Sequence, residues 1–200
     1  MRQPVVLAPG LWMPAAAMAF LSARLASRGY QAHVFAYRGR GPYEANVEAL
    51  ARFADDRALF VGHSLGGVLM LDMLNRHPEV RPAKVVLLGA PVRGCLAGRR
   101  LGHARLGRWM MGACRSLWEE RAASWTRGTP LGIVAGTLPM GLGRALGALP
   151  GPNDGVVRVE ETTVEGMTAR ALVRRGHSML IVSADVGGLV ERFLASGSFA

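Results

Sequence analysis

The 200-residue chain is half apolar and 6% aromatic, enough for one substantial core, so a single domain over residues 1–200 is expected. Its net charge of +10 comes from 23 arginines and one lysine, Lys84, against 14 acidic residues. GC-rich coding is sufficient to produce such a skew without any binding function, and no nucleic-acid reading motif accompanies it, so no nucleic-acid partner is expected. Two cysteines, Cys95 and Cys114, argue against a disulfide framework and for a reducing, cytoplasmic setting.

The chain opens Met-Arg-Gln-Pro and runs straight into Val5-Val6-Leu7-Ala8, too short an apolar run for a cleaved leader and the length of a buried strand. Pro4 to Ala8 is the first of six strand patterns; the others are Gln31 to Tyr37, Ala58 to Gly62, Lys84 to Gly89, Leu131 to Gly136 and Ala169 to Val173. Several are continuous Val/Leu/Ile runs, as strands covered on both faces require. Between them, Pro14 to Arg28 carries Met18, Leu21 and Leu25 at helical spacing and stops at Gly29. Glu44 to Ala54, Leu65 to Arg76 and Asp185 to Ser196 read as further helices, the second closed by Pro78. The apolar run Leu65 to Leu74 is broken by Gly66, Gly67 and Asp72, well short of the about 20 residues that span a bilayer. Residues 92–130 show no strand pattern and hold eight arginines against Glu119 and Glu120, so one or two helices are expected in an arginine-rich excursion. Glycine and proline crowd Pro139 to Gly155, which marks a long loop between strands of one sheet. Alternating strands and helices predict an α/β fold, a three-layer α/β/α sandwich around a mostly parallel six-stranded sheet.

Gly62-His63-Ser64-Leu65-Gly66 fits G-x-S-x-G and lies between a strand pattern and a helix pattern. A serine on so sharp a turn is lifted into the open, while glycines two residues to either side let the strand and helix backbones approach. The helix starting beside Ser64 directs free N–H groups toward a developing oxyanion, with Leu65 N–H as first donor. Taken alone, the same serine also fits a helix N-cap. A nucleophilic hydroxyl needs a base and an acid to orient that base. Of the five histidines, only His177 follows the last strand in a short loop, Arg175-Gly176-His177-Ser178. The acid belongs on the loop before that strand, where Asp154 is the candidate in Gly151-Pro152-Asn153-Asp154-Gly155; Asn-Asp-Gly is also plain turn chemistry. Glu160, Glu161, Glu165 and Asp185 are its rivals. The loop Ala8-Pro9-Gly10-Leu11-Trp12 is expected to supply the second oxyanion donor, Leu11 N–H, with Trp12 N–H in reserve.

With these stations in place, the chain resembles the α/β-hydrolase superfamily, and within it the small esterases and lipases that lack a large cap domain. Val5-Val6-Leu7-Ala8-Pro9-Gly10-Leu11-Trp12, Gly62-His63-Ser64-Leu65-Gly66-Gly67, Asn153-Asp154-Gly155-Val156-Val157 and Gly176-His177-Ser178 carry the likeness over nearly the whole length. It implies Ser64 as nucleophile, His177 as base, Asp154 as orienting acid, and Leu11 with Leu65 as the oxyanion hole. Two departures stand out. The family's usual His-Gly at the oxyanion loop is Pro9-Gly10 here, and the sheet begins at what larger members count as their third strand.

The expected reaction is hydrolysis of a carboxylic ester with an apolar acyl group through an acyl-enzyme, with no cofactor and no metal. Thioester or amide cleavage and acyl transfer use the same groups, and a catalytically inactive binding module is the non-enzyme alternative. Trp12, Met13 and His63 are expected to face the substrate. Trp109, Met110, Met111 and Trp118 fit an acyl pocket or plain core. The arginines of 92–130 also suggest peripheral contact with an anionic membrane.

Overall fold

The computed structural model describes residues 2–141 and 147–200. Six strands, β1 (Pro4–Ala8), β2 (Gln31–Val34), β3 (Leu59–His63), β4 (Lys84–Leu88), β5 (Leu131–Gly136) and β6 (Ala169–Val173), form one sheet in the order β2-β1-β3-β4-β5-β6. Every pairing is parallel. Successive side chains alternate between the two faces, so Val6, Phe60 and Leu87 enter one core while Val5, Val61 and Leu88 enter the other.

Helices cover both faces and complete the three layers. The first core receives α2 (Tyr43–Phe53) through Val47 and Leu50, and α3 (Leu65–Arg76) through Val68 and Leu69. The second receives α1 (Ala19–Ser27) through Leu21 and Leu25, and α6 (Ala184–Ser196) through Val186, Val190 and Phe193. The pattern expected as one helix over Pro14 to Arg28 divides: Ala15–Met18 is a 3-10 turn that leads into α1, and Gly29 at φ +86° ends it.

The second strand is shorter than its apolar pattern, ending at Val34 instead of Tyr37. Its neighbour β1 gives way to Pro9, which has no N–H to continue a ladder, so Phe35 makes a last bond to the Leu7 carbonyl and the chain departs. The arginine-rich excursion folds as α4 (Leu96–His103), α5 (Arg105–Met111) and a 3-10 segment, Gly112–Trp118. Arg127 anchors its far end by donating to the carbonyls of Leu74, His77 and Val80, where α3 runs out of N–H partners. Of the loop expected over Pro139 to Gly155, residues 142–146 lie outside the described residues. Among the described residues no helix is long and apolar enough to cross a membrane.

Candidate active site

All the loops that matter leave the carboxyl edge of the sheet, the side where parallel α/β folds gather their ligands. Strand β3 turns into α3 through Ser64, whose backbone takes φ 53° and ψ −124°. A side-chain-bearing residue adopts that conformation only under constraint from its surroundings. The constraint is close packing. A Cβ on Gly62 would lie 2.5 Å from Gly67 Cα, and one on Gly66 would lie 2.4 Å from both the Ala8 and Pro9 carbonyl oxygens. Only glycine at those two positions lets strand, helix and the loop after β1 meet. Trp12, at φ 63°, is the second such strained residue, so two of the three non-glycine positive-φ residues among the described residues border one site.

Ser64 Oγ donates to His177 Nε2 at 2.9 Å, and His177 Nδ1 lies 2.7 Å from Asp154 Oδ2. A carboxylate can only accept, so the proton sits on Nδ1 and leaves Nε2 as acceptor for the serine hydroxyl. The other Asp154 oxygen accepts the N–H groups of Val156 (3.0 Å) and Val157 (2.7 Å), which fixes the carboxylate within a site where it is 1% exposed. His177 N–H reaches back to the Asp154 carbonyl, joining the loops after β5 and β6. Three of the rival acids are engaged elsewhere: Glu161 accepts from Leu96 N–H and Arg158, Glu160 pairs with Arg158, and Asp185 pairs with Arg175.

The loop after β1 passes directly against the serine, since a Cβ on Gly10 would stand 3.0 Å from Ser64 Cβ. Among the described residues neither Leu11 N–H nor Leu65 N–H meets a protein acceptor. The loop is held by Tyr37, whose hydroxyl donates to the Pro9 carbonyl at 2.8 Å; the sequence pattern had placed Tyr37 inside a strand and gave no sign of this contact.

His63, expected to face the substrate, lies at the cavity. It borders the floor of the cavity, yet its ring is fully buried and its Nε2 lies 3.1 Å from the His177 carbonyl, with ring centroids 4.7 Å apart. A carbonyl accepts only, so Nε2 carries the proton and His63 donates to the backbone of His177. Burial first, and the neighbouring His177 second, hold its pKa down to about 3.

A cavity of about 730 Å³ opens beside Ser64. Trp12 and Met13 border it, as do Met110, Met111 and Trp118 of the excursion, while Trp109 points outward and is 66% exposed. Leu101, Val156 and Val157 complete the apolar wall, and no carboxylate, lysine or arginine lines it among the described residues. Val156 and Val157 directly follow Asp154, so one short segment orients the acid and shapes the wall. Cys95 also borders the cavity, but burial pushes its thiol up to about 12, which leaves it protonated and unreactive.

A model of the Alpha/beta hydrolase family matches residues 5–194, and the chain belongs to that family. No curated protein sequence matches it. Among solved structures, a lipase of Bacillus licheniformis in its mature form aligns over 98% of this chain and 92% of its own, with a TM-score of 0.70 at 15% identity. A pyrethroid hydrolase from Sphingobium faniae aligns over 98% of both chains, with a TM-score of 0.66 at 13% identity. Naproxen esterase from Bacillus subtilis aligns over 96% of this chain and 84% of its own, with a TM-score of 0.57 at 14% identity. At these identities the likeness is one of fold.

Proposed function

We propose that this chain is a serine hydrolase that cleaves carboxylic esters of apolar acids through an acyl-enzyme on Ser64. The observation that carries the reading is the unbroken hydrogen-bonded line from Asp154 through His177 to Ser64 at the head of an apolar cavity. His177 Nε2 takes the hydroxyl proton as Ser64 Oγ attacks the ester carbonyl. The imidazolium so formed is stabilised by the Asp154 carboxylate and returns the proton to the leaving alcohol. Leu11 and Leu65 N–H groups receive the oxyanion, and a water activated by the same imidazole then releases the acid. Among the structures of similar fold, the names lipase and naproxen esterase agree with ester chemistry and say nothing of this chain's acyl group. The cavity supports an apolar acyl group, because among the described residues no carboxylate, lysine or arginine lines it to pair with a polar one.

A fluorophosphonate probe tests the nucleophile, and a series of p-nitrophenyl esters of increasing chain length tests the acyl preference. Wild type is expected to be labelled and Ser64→Ala is not, with ester turnover lower by about 10⁶-fold in the variant. Equal labelling of the two proteins, or near-normal turnover by Ser64→Ala, defeats the proposal. An unlabelled wild type points instead to a binding module on a hydrolase fold.

A further inference from the structure

The two most exposed large apolar side chains among the described residues, Leu106 and Trp109, both belong to α5 and are each 66% exposed. They stand three residues apart on one helical face, and the neighbouring Met110 and Met111 line the cavity. Trp12, Met140 and Met179 border the same cavity and are themselves 48%, 59% and 49% exposed. Three exposed apolar side chains therefore border the cavity, and two more project from the helix whose next residues line it.

Their outward posture is built into the fold. Trp12 Nε1 donates to the Met110 carbonyl at 2.8 Å, tying α5 to the oxyanion loop. Arg40 donates to the Trp109 carbonyl at 2.6 Å and lays its guanidinium 4.6 Å over the indole ring. An aromatic ring beside an arginine suits the boundary between headgroups and acyl chains. The flanking charge is net positive: α4 and α5 carry Arg99, Arg100, Arg105 and Arg108 and no carboxylate, and Arg105 and Arg115 are exposed, while Glu120 pairs with Arg99 at 2.8 Å and Glu119 borders the same surface pocket as Arg115.

We infer that this rim is a docking surface for an anionic lipid bilayer, with Leu106 and Trp109 inserted among the acyl chains and the arginines on the headgroups. Apolar side chains supply the insertion and arginines the selectivity for anionic lipid. The cavity mouth then opens onto the membrane, and an apolar acyl chain enters it without crossing water. That consequence rests on the proposed esterase reading, whereas docking does not depend on it.

The test is co-sedimentation of Ser64→Ala with phosphatidylcholine vesicles, with and without phosphatidylglycerol. Binding is expected to the mixed vesicles, weakened by salt. Leu106→Ser combined with Trp109→Ser is expected to lower affinity by about tenfold or more, and Arg105→Gln by about fivefold, each with an unchanged circular dichroism spectrum. Leu106→Ser alone, at an exposed site, serves if the double variant fails to fold. Equal binding to both vesicle types, or salt-sensitive binding indifferent to Leu106→Ser, overturns the inference. So does self-association through the rim in a protein that ignores vesicles. A chain that takes no fluorophosphonate yet docks as described leaves the inference standing while the esterase reading fails. Turnover of a soluble short-chain ester is expected to be unaffected by Leu106→Ser.

Discussion

Tyr37 donates its hydroxyl to the Pro9 carbonyl across 2.8 Å, holding the loop that carries Leu11 past Ser64. Burial first, and nearby Cys114 second, push the phenol far above its ordinary value, so it stays protonated and keeps donating. Phe35 stacks on the ring with centroids 5.7 Å apart, so the ring has support apart from its hydroxyl. Tyr37→Phe keeps the stack and deletes the tether. Its kcat on a p-nitrophenyl ester is expected to fall by roughly tenfold, less than the roughly 10² to 10³ that follows loss of an oxyanion donor outright. KM is expected to change little, since the hydroxyl contacts the loop and not the substrate. An unchanged kcat removes Tyr37 from the positioning of the hole.

Asp154→Asn is expected to cost about 10⁴-fold in kcat, the size seen when such an acid is neutralised in a comparable triad. The reason lies in its partners. One oxygen of Asp154 accepts from Val156 and Val157, so an asparagine there must keep its carbonyl on those two N–H groups. Its amide then donates to His177 Nδ1, which forces the imidazole proton onto Nε2, where it faces Ser64 and cannot accept. Kinetics over a range of pH, paired with fluorophosphonate labelling rates, read the effect. Wild-type turnover in Asp154→Asn contradicts the assigned role.

Gly66→Ala separates packing from helix propensity. Within a helix, alanine normally stabilises over glycine by about 0.5 to 1 kcal/mol. At Gly66 the new Cβ meets two backbone carbonyl oxygens at 2.4 Å, and neither can rotate aside. Overpacking of that kind costs about 1 to 3 kcal/mol, so the net sign is destabilising. Urea unfolding is expected to show a lower midpoint, and ester turnover to fall with it because the displaced segment leads into the oxyanion loop. A stabilised, fully active Gly66→Ala shows that the loop and helix do not press together as described.

How much of this was legible in the residues depends on the range of the contact. Every strand pattern coincides with a strand to within a few residues, because buried parallel strands must be continuous apolar runs and few other segments are. The elbow at Ser64 was legible for the same local reason, its glycines flanking a strand-to-helix change. In residues 92–130 the presence of one or two helices was legible, but not their bounds or placement, since α4 and α5 span eight and seven residues and take their position from distant groups such as Arg40, Trp12 and Glu161. Tyr37 meeting Pro9 and His63 meeting the His177 carbonyl span 28 and 114 residues, and no periodicity encodes either. Trp109 shows the converse: its apolar character suggested the cavity, but its place on α5 turns it outward.

His63 gives the fold a pH dependence of definite sign. Its ordinary pKa of 6.5 applies in the unfolded chain, whereas in the folded chain it is held at about 3, so the unfolded state takes up the proton first. The stabilising difference is complete above pH 6.5, shrinks as the pH falls below that value, and is exhausted near pH 3. Between pH 7 and pH 5 this one residue is expected to remove about 2 kcal/mol of unfolding free energy. His77 works in the opposite direction, its pKa raised first by the bond to Glu79 and further by Glu48, but it lies near the surface where water screens such pairs. The two are separated with His63→Gln, whose amide can donate to the same His177 carbonyl without titrating. Denaturant unfolding at pH 7 and pH 5 is expected to show a smaller acid loss in the variant by about 2 kcal/mol. An identical loss in both proteins means that His63 is not the buried neutral donor supporting His177.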